Sequence, residues 1–588
     1  MEKIKRIVIV VSLLFLVIFL YHSQIKQFVH QSVLSVKMVS ADKYEGWQEI
    51  KKHPLELNIL YYDSPVVYEE ESNTIYISQN IYKKEWEGKI KVKKGKLEIV
   101  EDEYLWEKEK AIREGHVFRL YWNDGEYLCK YNLVFSGMPL ISLKTENGYD
   151  EKKEAWSAKI EIFDSYRHSQ YYQKYDCNFN IRGGSTRTLP KKGYKVELVN
   201  AKASLLGMKV DDDWIFNALY DDAGLIHNKL SMEVWRDISS YNSVEGDEGY
   251  HEEYAEVFLD GRYHGVYLIS ERVDDKELEL QAKDKLYKCR AMRIPQEHNY
   301  TNEVTDGLAP IFVLKYPKED VEENWEPLKA WVDCFLKLET TDYQQATELL
   351  NMENAIDYNL FCILIGGGDN KRKNIFFTAK YLPNGKYEMI KNPWDLNATW
   401  GNRWTGQEEA NNTTYAVNNY KNVRNWSCDV STLYYMNEEK ISKLLYDRWK
   451  ELRQNHVITE ERIDNTLDVW FEYLHNTGAY QRNYDRWPNG VEYWSDSYIY
   501  EYVSNRLDFL DRYFANLYSD STNGVFYNGV DYSDEFEVRY YWEANYDVLS
   551  EIYDYDKDQL LDHYVNYGKP YGLQGRAGDW SQIPVRED

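Results

Sequence analysis

The stretch GGGDNKRKNIFFTAKYLPNGKYEMIKNPWDLN, residues 366–397, decides how this chain is read. Asn384-Gly385 is a strong two-residue hairpin signal, because both residues tolerate the positive φ that such turns need. β-formers flank it on both sides, NIFFTAKYLP before and KYEMIKNPWD after. A two-residue loop would set Asn374 directly opposite Asp395, with the two side chains on one face about 5 Å apart. Ahead of the hairpin, NMENAIDYNLFCILI predicts a buried helix with Asn351 as its cap. The glycines at 366–368 then free the backbone for a sharp loop, and Asp369 follows. Asp369, Asn374 and Asp395 are therefore expected to converge at one end of a hairpin. Two carboxylates and an amide carbonyl are hard oxygen donors that suit Mg²⁺ or Mn²⁺.

The Asp-x-x-x-x-Asn spacing of Asp369 and Asn374 is also that of a protein-kinase catalytic loop. In that arrangement the aspartate orients the attacking hydroxyl, the asparagine holds metal, and a later aspartate holds the metals that bridge the phosphates. The spacing alone arises often by chance. The plainer alternative is a pair of turn-capping residues with Asp395 solvated.

Candidates for phosphate contact lie upstream in RGGSTRTLPKKGYK. Gly183 and Gly184 allow close backbone approach, and Arg182, Arg187, Lys191, Lys192 and Lys195 oppose phosphate charge. Strand alternation through Lys192, Tyr194, Val196 and Leu198 puts Lys192 on the inward face, with Lys191 and Lys195 on the other. Lys192 is thus the first choice for a nucleotide lysine, and Glu271, after the strand GVYLIS, the best-placed acid to hold it. An exposed basic turn is the alternative.

The 588 residues are too many for one core, and 43% of them are hydrophobic. The net charge of −27 argues against a nucleic-acid partner, since no basic surplus exists to release counterions. The 54 Tyr and 19 Trp favour packed folds, and aromatic surfaces also bind sugars or proteins. Six widely spaced cysteines without a CxxC pair predict mostly buried thiols and no zinc site, with one disulfide left open. His251-Glu252 lacks the second histidine of a zinc HExxH helix.

At the amino end, Lys3, Lys5 and Arg6 precede an apolar run from Ile7 to Tyr21. We expect an uncleaved signal anchor over 1–22, crossing the membrane through residues 4–21, with the bulk outside the cytoplasm. A cleaved signal and a secreted product is the alternative. Residues 23–46 then form a linker and 47–147 a small all-β domain, to which NTIYISQNIY, GKIKVKKGKLEIV, HVFRLYWNDGEYLCKYNLVF and PLISLKT contribute strands. Residues 148–520 mix strands with helices, including a hairpin closed around Asp260-Gly261. Residues 521–588 form a tail with two short helices, similar to a small aromatic repeat of exported bacterial proteins, either an attachment module or a packing appendage.

In this order, RGGSTRTLPKKGYKVEL, LYDDAGLIHNKL, EVFLDGRYHGVYLISERVD, LYK at 286–288, GGGDNKRKNIFF and NPWDLNATWG resemble the spore coat CotH-like kinase family. The resemblance implies an α+β, two-lobed, protein-kinase-like domain and Mg²⁺- or Mn²⁺-dependent transfer of phosphate from ATP to Ser or Thr of a protein substrate. It gives Asp369 the catalytic role and makes Asp395, Asn374 and Asn397 the metal set. It places the KKGYK lysines and Glu271 in the nucleotide-binding lobe, with Lys288 a further candidate for the phosphates. Three positions depart from the family pattern. Asn397 stands where WDxD has its last aspartate, His227 where an arginine precedes Asn, and Glu197 where a basic or polar residue is common. They leave open a weak or inactive kinase-like scaffold that binds a polymer or partner.

Overall fold

The computed structural model describes residues 32–45, 59–150, 152–291, 300–303, 310–339, 342–403, 414–415, 417–488 and 494–577. The expected anchor over 1–22 lies outside them. Among the described residues no helix is long and apolar enough to cross a membrane.

The fold is mixed α+β. A seven-stranded sheet comes first, in the strand order 32–33, 36–39, 96–100, 117–123, 128–136, 74–78 and 67–69. Its alternating valines, isoleucines and tyrosines bury one continuous apolar face. Two boundaries differ from the sequence-based expectation. Ser32–Val33 and Val36–Val39, placed in a linker, pair into this sheet, because Val36 and Val39 carry apolar surface that only the sheet can cover. Leu140–Thr145, assigned to the β-domain, instead pairs with Ala155–Phe163 and Glu252–Leu259 in the next unit.

That unit is a closed barrel of strands 140–145, 155–163, 172–182, 193–198, 213–217, 262–270 and 252–259. Closure removes the sheet edges, and the interior is filled by Ile160, Ile162, Phe179, Tyr194, Val196 and Trp214. The Asp260-Gly261 turn is as expected: Leu259 pairs with Arg262, and both loop residues have positive φ, 47° and 77°.

A four-stranded sheet then joins strands 312–316, 285–289, 375–381 and 387–393 in that order. It packs on a helical lobe whose central element, Met352–Ile365, is buried almost all round. Asn351 caps that helix by accepting from the Asn354 N–H, as its sequence predicts. The helices 428–436, 438–454 and 496–522 pack against it, with 460–476 on the last of these and 479–486 beside it against the barrel.

The tail is not a separate body. It forms three short helices rather than two, Val538–Ala544, Tyr546–Ile552 and Lys557–His563. Phe536, Val538, Tyr541 and Trp542 enter the same core as the helical lobe. Arg539, fully buried, ties the joint. It pairs with Glu543 at 2.8 Å, donates to Ser431 Oγ at 3.0 Å and lies 3.7 Å from the Trp426 ring centroid. Removing one partner of a buried ion pair strands the other charge. Arg539→Ala is expected to cost about 3 kcal/mol, and thermal or urea unfolding of the whole chain checks it.

Candidate active site

The hairpin forms, but its register is shifted by one residue. Ile375 pairs with Pro393 and Tyr381 with Tyr387. Leu382 N donates to Lys386 O and Gly385 N to Leu382 O, so the loop is the three residues Pro383-Asn384-Gly385. This is a type I turn finished by a left-handed glycine, Gly385 at φ 84°. Proline at the second position suits that turn, and the Asn-Gly rule overlooked it. Asn374 therefore lies across from Trp394, not Asp395. Simple alternation would put Asn374 and Asp395 on opposite faces. Both instead leave the ladder with left-handed backbones, at φ 56° and 60°, and both line the same cleft.

Asn370, 1% exposed, holds the two feet together. Its Nδ2 donates to Trp394 O at 2.9 Å and Asn374 O at 3.4 Å, and its own carbonyl accepts from Tyr358 Oη at 2.9 Å. Asp369 sits one residue earlier on a single 3₁₀ turn, Asp369–Lys371. Its Oδ2 is 2.7 Å from Lys373 Nζ. The Asp395 carboxylate accepts no hydrogen bond among the described residues, whereas the Asn397 amide donates to Asp221 Oδ2 at 2.5 Å.

The cleft has a volume of about 710 Å³ and separates the barrel from the helical lobe. Asp369, Asn374, Asp395 and Asn397 line it from one side, and Arg182, Gly183, Gly184 and Asp221 from the barrel side. Gly183 has φ 115°, and a side chain there would run into Thr186 Oγ1, so only glycine fits this bend. Lys288, Arg290 and Lys315 line the floor. Lys288 pairs across the sheet with Val313 and Phe376, which puts these three cations on one sheet face. The Trp394 ring meets both Arg182 and Lys288, with ring-to-cation distances of 5.4 and 5.1 Å. Desolvation, then the charge of Arg182, pulls the Lys288 ammonium down to about 7, opposed by Asp395. Burial, then the Asp395 carboxylate, pushes the Asp221 carboxyl up to about 7.

Two expected lysines are placed otherwise. Strand pairing begins at Gly193, so alternation does not reach Lys191 or Lys192. Lys191 is the buried one: its Nζ donates to Val266 O and to Asn483 Oδ1. It borders a small cavity beside the cleft rather than the cleft itself. Lys192 donates to Arg187 O at 2.8 Å and so steadies the glycine loop. Glu271 meets neither lysine. It accepts from the backbone N–H groups of Lys209 at 2.7 Å and His251 at 2.9 Å.

The barrel therefore provides Arg182, the two glycines and Asp221, and the sheet and helical lobe provide the rest. A family model described as CotH kinase protein matches residues 179–510, more than half of the chain. The chain belongs to the CotH kinase family. None of the curated proteins matches it.

Within the CotH match, the asparagine of the HNKL segment has a clear physical task. Asn228 Oδ1 accepts from Leu396 N at 2.8 Å, and its Nδ2 donates to Glu252 Oε1 at 2.6 Å. It thus pins the Trp394–Asn397 segment to the barrel. His227, at the position where an arginine was expected, is fully buried and pairs with Asp222 at 2.8 Å. Asp221, Arg290, Lys315 and Asn370 were not singled out from sequence. The acidic pair in LYDDAG was the only available signal for Asp221, and the others carry no motif. Asn370→Ala leaves two buried carbonyls without their donor and is expected to cost about 2 kcal/mol. Asn370→Asp should cost no less, since a carboxylate cannot donate. Thermal unfolding of both variants tests this.

Proposed function

We propose that this CotH kinase family member is an exported, membrane-anchored protein kinase that transfers the γ-phosphate of ATP to Ser or Thr of a surface or coat-type protein. The observation that carries the reading is the meeting of Asp369, Asn374 and Asp395 with Lys288 in one cleft. Asp369 is in the position to orient an acceptor hydroxyl and take its proton. Lys288 and the Gly183-Gly184 bend offer a cation and open backbone to phosphate oxygens. The donor set fits Mg²⁺ or Mn²⁺: Asp395 is a half-buried carboxylate that accepts no hydrogen bond among the described residues, beside the amide groups of Asn374 and Asn397. A bound divalent ion supplies charge neutralisation for the phosphates. Trp394 and Phe376 desolvate the floor, which strengthens each of these charge contacts.

One observation favours a second reading, a catalytically weak or inactive scaffold. Lys373 Nζ occupies the Asp369 carboxylate at 2.7 Å, the group that must meet the hydroxyl. The two readings separate in an assay with labelled ATP and Mg²⁺ or Mn²⁺, using acceptor proteins and the chain itself. For a kinase, Asp369→Ala and Asp395→Ala each lower transfer roughly 10²–10⁴-fold. Nucleotide binding without transfer supports an inactive kinase, and no nucleotide binding at all supports the scaffold and overturns the kinase reading.

The Lys288 position gives a pH test. An ammonium that titrates near 7 is charged below that pH and lost above it. A polyanion that needs the charge then binds more weakly as pH rises from about 6 to about 8.5. Lys288→Arg keeps its charge throughout, so its ADP-binding profile should lack that fall relative to the parent chain. Lys192→Ala should change ADP affinity less than Lys288→Ala. Calorimetric titration at several pH values checks both.

A further inference from the structure

Asn397 removes one carboxylate from the place where the family pattern has WDxD, yet another carboxyl group stands beside it. Asp221 enters from the barrel, lines the same cleft as Asp395, and accepts the Asn397 amide at 2.5 Å. Its backbone carbonyl and that of Asn397 both accept from Asn402 Nδ2, at 3.3 and 2.9 Å. Asn402 therefore locks the two segments together. Asn402 is 5% exposed and also lines the cleft, and its Oδ1 has no hydrogen-bond partner among the described residues. A buried amide oxygen without a protein donor is free to accept from a water or to ligate an ion.

Asp395 presents the same feature as a charge. It is half-buried and accepts no hydrogen bond among the described residues, with Arg182 its neighbouring cation. Two carboxylates from different lobes and an orphaned amide oxygen, with the Asn397 amide the one hydrogen-bond donor to these carboxylates among the described residues, make a poor protein core. They make a good set of hard oxygen ligands.

We propose that Asp221 is the second carboxylate of the divalent-cation site centred on Asp395, oriented by the Asn397 amide and completed by Asn402 Oδ1. The inference rests on the reading of Asp395 as a metal aspartate, and it changes the role of Asn397. That residue becomes a positioning group, which donates to one oxygen of Asp221 and leaves the other for the ion. The metal site then spans both walls of the cleft, so cation binding also fixes the barrel against the helical lobe.

The test uses Mn²⁺ alone as the probe, titrated against the purified full-length chain and followed by the loss of the free-ion paramagnetic resonance signal. Asp395→Asn and Asp221→Asn should each weaken Mn²⁺ binding by roughly tenfold or more. The exchanged pair Asp221→Asn with Asn397→Asp moves the carboxylate across one hydrogen bond, and it should recover affinity to within about threefold. A folded Asp221→Asn chain that binds Mn²⁺ as the parent does overturns the proposal. If Asp395→Asn alone weakens binding, the metal-aspartate reading stands and only the Asp221 assignment fails. If neither does, the metal reading itself fails. Should Asp221→Asn not fold, the exchanged pair decides: near-parent affinity supports the site, and its loss overturns it. A second readout is independent of affinity. Asn397→Asp sets two carboxylates together, so it should lower the melting temperature without metal. Mn²⁺ should then raise the melting temperature more than in the parent chain, and an equal rise counts against the site.

Discussion

The side-chain amide of Asn370 is the constraint on which the site depends. A hairpin whose feet line the cleft must hold those feet in a conformation that strands do not favour. Asn374 and Asp395 both have left-handed backbones, each costing on the order of 1 kcal/mol for a residue with a side chain. Asn370 offsets that cost by donating to the carbonyls of Asn374 and Trp394, one on each foot. Its burial makes those bonds count, because water cannot compete for the same carbonyls. Tyr358, from the buried Met352–Ile365 helix, holds Asn370 in turn. The most apolar helix of the lobe is thus connected through two hydrogen-bonded steps to the residues that face the cleft.

The opposite wall needs a comparable anchor, and Glu256 provides it. This fully buried carboxylate accepts from Arg482 at 2.9 and 2.8 Å, from Tyr263 at 2.7 Å and from Ser136. Those four residues come from the barrel, the N-terminal sheet and the helical lobe. Lys191 does the same nearby, reaching from the loop before the 193–198 strand to Asn483 at 2.9 Å. Buried charges are costly unless every oxygen and proton is used, so such joints permit little alternative packing. The three parts of the chain therefore meet the cleft as one frame, with Arg182, Gly183 and Asp221 on its barrel side.

Much of this was legible in the sequence where local chemistry dictates geometry. The Asn351 cap, the Asp260-Gly261 turn and the glycine break at 366–368 follow from backbone preferences alone. The exact register did not, because Pro383 converts the Asn-Gly loop from two residues to three. The conclusion that Asn374 and Asp395 share a cleft holds for a different reason from the one alternation gave. Left-handed residues restore what the register shift takes away. The lysines illustrate the complementary failure. Alternation was extended past the end of a strand, to Lys191 and Lys192, where no ladder enforces it. Lys288 is set by a real ladder, opposite Val313 and Phe376, but its partners lie 25 and 88 positions away in sequence. Asp221 was hidden for the same reason, since the amide it meets, Asn397, lies on another element.

Net charge was equally silent about the site. A chain with a formal charge of −27 would seem a poor host for a polyanion. The relevant field is local, because charges beyond about 8–10 Å are screened at physiological ionic strength. Lys288, Arg290 and Lys315 share one sheet face on the cleft floor, and Arg182 meets the same Trp394 ring as the first of them. Against them stand Asp369, Asp395 and Asp221. A lone anion entering such a cleft is drawn to the floor and repelled by the carboxylates, while a lone cation meets the reverse. An anion and a divalent cation arriving together satisfy both walls at once, each lowering the other's cost of entry. On the proposed reading, this arrangement of charges would select a metal-bound polyanion over either component alone, whatever the sign of the surface outside.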